Sequence, residues 1–157
     1  MTPELTKLQD KITQKEVLLG IIGLGYVGLT LSLTFLRKDI AVLGFDLDIK
    51  KIDMLHAGVS YIKHIPSEKL NAFVQQGKLS ATADFSRLNE PDVLLICVPT
   101  PLTQNREPDM HYIENTGHAI AKVLRPGQMV ILESTTYPGT TVELLLPILE
   151  NSGLAAG

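Results

Sequence analysis

Val17-Leu18-Leu19-Gly20-Ile21-Ile22-Gly23-Leu24-Gly25-Tyr26-Val27-Gly28 decides the fold. The first half, Val17–Gly23, is an unbroken apolar run of strand length, the composition of a parallel strand buried on both faces. The second half is G-x-G-x-x-G and opens directly into a helical segment, Leu29–Arg37. In that setting Gly23 permits a tight turn, Gly25 lets the backbone approach a pyrophosphate, and Gly28 lets the helix pack closely on the strand. The free N–H groups and the dipole of the helix start then face the anion. Alone, such a turn is a weak signal. Here the next apolar run, Ala41–Phe45, ends in Asp46, at the spacing of about 20 residues where an acid accepts from a ribose 2′-hydroxyl. A glycine-rich turn beside a helix-capping aspartate would account for each part, but not for strand, turn, helix and acid in this order.

Asp46 also selects the cofactor. Its carboxylate repels a 2′-phosphate and no arginine follows it directly, so NAD is expected rather than NADP. Lys51, in the first turns of the next helix, either reaches the same ribose edge or stands as a solvated helix lysine. Composition leaves both open.

Outward from this core the chain alternates strand and helix. Further strands are predicted around Leu79–Ala81, at Val93–Val98 and at Met129–Leu132. Asp48 is expected to cap a helix over Ile49–His56, and Ser67 to cap Glu68–Gln76, stopped by Gly77. A longer helix is expected from Asp109 to about Leu124, before Pro126-Gly127. The last is expected to start at Thr140, where Thr140-Thr141-Val142-Glu143 fits a capping box, and to end near Gly153. Residues 1–16, with Leu5, Leu8 and Ile12 at helical spacing, read as an amphipathic helical lead-in. The whole is an α/β fold, a Rossmann-type doubly wound parallel sheet in a single domain over residues 17–157. Its long loops, Ala57–Pro66 and Thr100–Pro108, fall where such sheets bind ligands.

Composition excludes several classes. With 14 Lys+Arg against 17 Asp+Glu in 157 residues there is no basic field for a nucleic-acid backbone. No apolar run approaches the ~20 residues of a membrane span, and residues 1–16 hold no apolar segment for a signal peptide, so a cytoplasmic location is expected. One cysteine can form no internal disulfide. Cys97 lies inside a continuous apolar strand and reads as a small buried hydrophobe, not a nucleophile. His111, Glu114 and His118 share a helix face with Lys122, opposite an apolar stripe of Ile113, Thr116, Ile120, Val123 and Leu124. That is a solvated face, so no metal site is assigned. His56 and His64 have no visible partner. Two hydroxyl- and proline-rich segments, Val98-Pro99-Thr100-Pro101 and Glu133–Thr141, leave the fourth and fifth strands and either present groups to a ligand or serve as capped turns.

Six segments together carry a resemblance: GLGYVGLTLSLTF (Gly23–Phe35), GFDLDIKKIDML (Gly44–Leu55), SYIKHI (Ser60–Ile65), ICVPTPL (Ile96–Leu102), REPDMHYIENT (Arg106–Thr116) and ESTTYPGTT (Glu133–Thr141). In this order the chain resembles the nucleotide-sugar 6-dehydrogenases of the UDP-glucose/GDP-mannose dehydrogenase family. The SYIKHI, REPD and ESTTYPGTT wording is most similar to the branch acting on UDP-N-acetyl-hexosamines, UDP-N-acetylglucosamine in particular. Thr30 departs from the proline many relatives carry after GYVGL, at a first-turn position where proline is tolerated but not required.

The resemblance implies a double oxidation of the sugar C6 alcohol to a carboxylate, through a cysteine-bound thioester, with two NAD reduced in turn. It implies that Gly23, Leu24, Gly25, Tyr26, Val27 and Gly28 bind the pyrophosphate, and Asp46 with Lys51 the adenosine ribose. Val98, Pro99, Thr100, Pro101 and Leu102, with Ser134, Thr135 and Thr136, would line the cofactor. Thr135 matches a family threonine near the reacting C6 and so carries the catalytic assignment. The family's nucleophilic cysteine, catalytic lysine and most sugar-binding residues fall in a central helix and a second domain, for which this chain holds no counterpart. The resemblance further implies a UDP-sugar partner and a homo-oligomer in the full-length protein, in the service of surface-polysaccharide precursors. UDP-glucose or UDP-N-acetylmannosamine as substrate, and a free-standing NAD-sensing module, are the competing expectations.

Overall fold

A computed structural model describes residues 2–156. Five parallel strands form one sheet in the order β3-β2-β1-β4-β5, with β1 Leu18–Ile22, β2 Ala41–Phe45, β3 Leu79–Thr82, β4 Val93–Ile96 and β5 Met129–Leu132. Chain order reverses between β1 and β4, the crevice where doubly wound sheets take their ligands. The register is continuous, Leu19 pairing with Val42 on one side and with Val93 on the other.

The central strands read as apolar runs because both their faces are covered. Leu19, Ile21, Val42, Val93 and Leu95 contribute to one core cluster, with Leu29 and Leu33 of α2 (Tyr26–Leu36), Ile52 and Leu55 of α3 (Ile49–His56) and Leu70 of α4 (Ser67–Gln75). Their alternating neighbours Ile22, Leu43, Phe45, Leu94 and Ile96 face the other way. There they meet Ile113 and Ile120 of α5 (His111–Ala121) and Leu145, just before α6 (Leu146–Glu150). The lead-in is helical, α1 spanning Pro3–Gln14 with Thr2 as its cap, but of its apolar residues only Leu8 is buried.

Several helix ends differ from expectation. Asp48 does cap α3, accepting from Lys50 N–H at 3.0 Å. Ser67 is instead the first residue of α4, and its hydroxyl accepts from Ser60 N–H at 3.0 Å across the preceding loop. α5 starts two residues late, with Asp109 Oδ1 accepting from His111 N–H at 3.1 Å. α2 starts earlier than expected, at Tyr26, so Gly25 is its cap. A 3-10 segment over Phe85–Asn89 was not anticipated. Nor does Thr140 begin an α-helix through a capping box. Thr140–Leu145 winds as a π-helix, and the Thr140 hydroxyl donates to Tyr137 C=O at 2.8 Å.

Candidate functional site

Every candidate residue lies at the carboxyl end of the sheet. The turn after β1 is held as the glycine spacing requires. Gly23 has φ +91°, and a Cβ there would stand 2.7 Å from the Cys97 carbonyl oxygen, so the turn lies directly against the end of β4. A Cβ on Gly28 would collide with the Gly23 carbonyl oxygen, which fixes how closely α2 approaches the turn. A Cβ on Gly25 would meet nothing within 4 Å. The backbone is bare there, on the side that a ligand can approach.

Asp46, at the end of β2, is joined to that turn. Its Oδ2 accepts from Leu24 N–H at 2.9 Å and from Lys51 Nζ at 3.1 Å, and its Oδ1 accepts from Asp48 N–H at 2.9 Å. Lys51 is therefore not a free solvated lysine but the partner of Asp46, one turn into α3. A carboxylate has about four acceptor positions, so Asp46 keeps capacity for a hydroxyl beside the three bonds already made.

The two hydroxyl-rich loops are brought together. The Ser134 hydroxyl donates to Val98 C=O at 2.7 Å, and the Thr100 hydroxyl donates to Thr135 C=O at 2.8 Å. Beyond Pro101 the chain folds into a small hairpin, Leu102 bridging Pro108 and Asp109 N–H reaching Pro101 C=O at 2.7 Å. Thr135, Pro99, Pro101 and Leu102 are exposed, while Val98, Thr100, Ser134 and Thr136 are half-buried. The segment from Val98 to Leu102 and that from Ser134 to Thr136 thus form one wall beside the glycine turn.

Cys97 takes no part as a thiol. It is buried, and burial, with a smaller push from Glu133, raises its thiol to about 11. At neutral pH it stays protonated and inert. His111 and His118 lie exposed on α5, with Ile113, Thr116, Gly117 and Ile120 on the buried side.

One residue tied to the glycine turn was missed as an individual. Tyr61, in the long loop between α3 and α4, donates its hydroxyl to Leu24 C=O at 2.6 Å. Burial first, and then the charges of Asp46 and Asp48, push its phenol above the ordinary tyrosine value, so it remains a donor. Only its place in SYIKHI marked it.

The arrangement suits a dinucleotide. A bare glycine peptide and a helix start offer N–H donors to a pyrophosphate, and a paired carboxylate stands at the end of the next strand for a ribose. The model of the UDP-glucose/GDP-mannose dehydrogenase family NAD-binding domain matches residues 17–156. The chain is 36% identical over 141 residues to UDP-N-acetyl-D-glucosamine 6-dehydrogenase of Pseudomonas aeruginosa, 89% of this chain and 32% of that protein. It is equally 36% identical to UDP-N-acetyl-D-mannosamine dehydrogenase of Pyrococcus horikoshii, over 88% of this chain and 33% of that one. Among solved structures it superposes on GDP-mannose dehydrogenase from Pseudomonas aeruginosa with TM-score 0.83 at 34% identity, covering 88% of this chain and 33% of the other. It therefore spans about a third of the length of these relatives. With this turn, this acid and this match along nearly its whole length, the chain belongs to the UDP-glucose/GDP-mannose dehydrogenase family, and what it comprises is that family's NAD-binding domain.

Proposed function

We propose that the chain is the cofactor-binding part of a UDP-N-acetylhexosamine 6-dehydrogenase, with UDP-N-acetylglucosamine as substrate. The observation that carries the cofactor half is the joined turn: Gly25 bare, Asp46 bonded to Leu24 N–H, Lys51 on Asp46. The substrate half rests on the wording of SYIKHI, REPD and ESTTYPGTT, and on relatives that act on UDP-N-acetyl-D-glucosamine or UDP-N-acetyl-D-mannosamine. UDP-N-acetylmannosamine and UDP-glucose are the alternative substrates within the family.

The residues divide the work by position. The N–H groups from Gly25 to Gly28 bind the pyrophosphate, and Asp46 with Lys51 holds the adenosine ribose. Val98 to Leu102 and Ser134 to Thr136 wall the nicotinamide side. Bound NAD supplies the hydride acceptor. Thr135, exposed where the two loops are tied together, positions water or the sugar hydroxyl near C6. The covalent step needs an accessible thiolate, which the buried Cys97 is not, so the nucleophile belongs to another part of the protein. The complete enzyme is proposed to be a cytoplasmic homo-oligomer.

The test uses two proteins, this chain and the full-length protein. This chain is expected to bind NAD in a calorimetric titration and to form no NADH when UDP-N-acetylglucosamine is added. The full-length protein is expected to turn over that sugar faster than UDP-N-acetylmannosamine or UDP-glucose. NADH formation by the 157 residues alone would overturn the assignment of the thiol. A full-length preference for UDP-glucose would overturn the substrate.

Asp46→Ala probes the adenosine end. Loss of a charged acceptor is expected to cost about 1.5–3 kcal/mol of NAD binding. It should also narrow the preference for NAD over NADP, since Lys51 is left without its carboxylate. Because the substitution strands Leu24 N–H as well, thermal stability should fall by the order of 1 kcal/mol. Titration with both cofactors, beside a melting curve, separates the effects. Unchanged affinity and unchanged preference would remove Asp46 from the site.

A further inference from the structure

Leu24 is the middle residue of the Gly23-Leu24-Gly25 turn, and side chains from distant segments hold both of its backbone groups. Its N–H goes to Asp46 Oδ2, and its C=O receives the Tyr61 hydroxyl at 2.6 Å. The C=O and N–H of a trans peptide point in opposite directions. The Tyr61 bond therefore draws the Leu24 carbonyl toward the α3–α4 loop and turns the Gly25 N–H the other way. The N–H groups of Gly25, Tyr26 and Val27 find no acceptor among the described residues. Gly25 itself is bare, with nothing within 4 Å of where a Cβ would stand.

Packing alone does not account for a tyrosine here. The ring lies half-buried against the core, where phenylalanine would fill the same space, and among the described residues the hydroxyl's one hydrogen bond is to the turn. The loop around it is braced. The Ser60 hydroxyl accepts from Ile62 N–H at 3.1 Å and donates to Ile62 C=O at 3.0 Å, while Ser60 N–H is held by Ser67 Oγ. We propose that Tyr61 is a positioning residue for cofactor binding, its hydroxyl setting the Leu24–Gly25 peptide so that the Gly25 N–H is presented to the pyrophosphate. It acts through that peptide. The inference rests on the NAD assignment, and wild-type binding in the same experiment tests that assignment separately.

The experiment compares three ligands, NAD, ADP and adenosine, on this chain as wild type, Tyr61→Phe and Ser60→Ala. NAD and ADP carry the pyrophosphate, and adenosine carries only the part that Asp46 holds. Tyr61→Phe is expected to weaken NAD and ADP about five- to tenfold, the loss of one hydrogen bond's worth of positioning, and to change adenosine by less than about twofold. Ser60→Ala, which loosens the bend without touching the ring, should give the same selectivity at smaller size. A merely structural tyrosine would weaken all three ligands alike. Equal losses for ADP and adenosine, or no loss for either variant, would overturn the proposal. Should wild type bind neither NAD nor ADP, the cofactor assignment falls, and the positioning role with it.

Discussion

Gly25→Ala is expected to fold, to melt within about 4 °C of the parent chain and to bind NAD about thirtyfold more weakly or worse, the equivalent of about 2 kcal/mol of overpacking at the ligand contact. Gly25 has φ −75°, which alanine adopts freely, and the new methyl meets no protein atom within 4 Å. As a helix cap, alanine in place of glycine costs of the order of 1 kcal/mol or less. The methyl would instead occupy the space through which a pyrophosphate reaches the helix start. Gly28→Ala is the counter-case in the same motif. Its methyl collides with a backbone oxygen, that of Gly23, which cannot move without opening the turn. A cost of about 3 kcal/mol, and a melting temperature lower by roughly 6–12 °C, is expected there. Calorimetric titration and thermal unfolding of both variants distinguish the roles. Normal NAD binding by Gly25→Ala would mean that the phosphates do not pass over this peptide, and a normal melting curve for Gly28→Ala would mean that α2 can stand further from the strand.

What could be read from sequence was whatever is encoded locally. Strands β2 and β5 and helix α3 fall on their expected residues, because each is a short periodic or apolar run bounded by a residue with a clear local preference, as Asp48 opens α3. That Asp46 stands beside the turn of Gly23 to Gly28 was legible for the same reason, since the turn and the acid follow consecutive strands. The last helix was misread where a local signal met a stronger one. Thr140 and Glu143 have the spacing of a capping box, but Gly139 at φ +93° turns the chain, and Glu143 N–H bonds Gly139 C=O. Pro147 then has no N–H to donate and crowds the carbonyl four residues back, and the wide turns over Thr140–Leu145 precede it. That proline was the available cue. The tie of Tyr61 to the glycine turn was illegible because it is a bond across 37 positions, which neither periodicity nor spacing records. The tie between Thr100 and Thr135 was hidden in the same way.

A stability effect as large as that of Gly28→Ala is expected far from the cofactor, at Asp92. This residue precedes β4 and is only 5% exposed, yet both oxygens of its carboxyl group are bonded. Its Oδ1 accepts from Lys11 Nζ of α1 at 2.7 Å and from Arg125 Nη2 at 3.0 Å, and its Oδ2 accepts from Leu18 N–H of β1 at 3.1 Å. One carboxylate thus links the lead-in helix, the central strand and the turn before β5. Burial pushes its pKa up, but the bonds from Lys11, Leu18 N–H and Arg125 together pull it further down, and the carboxyl ends below its ordinary value. A depressed folded-state pKa contributes stability that is present above the unfolded value, about 4, and is lost as pH falls through the folded one. Asp92→Ala strands Leu18 N–H and leaves two cations unpaired. Those cations are about a third exposed and water can recover part of their loss, so the expected cost at neutral pH is about 3 kcal/mol rather than the upper end for buried pairs. The melting temperature should then fall by roughly 6–12 °C. NAD affinity at a temperature where the variant is folded should stay within about twofold, because Asp92 stands at the opposite end of the sheet from the glycine turn. The gap between wild type and variant should also narrow as pH drops below about 4, because the unfolded carboxylate then takes up its proton before the folded one does, and the advantage is gone once pH has passed the folded value. Urea unfolding of both proteins across that range reads the difference directly. A gap that stays constant down to the acid limit would mean that Asp92 stabilises by shape and not by charge.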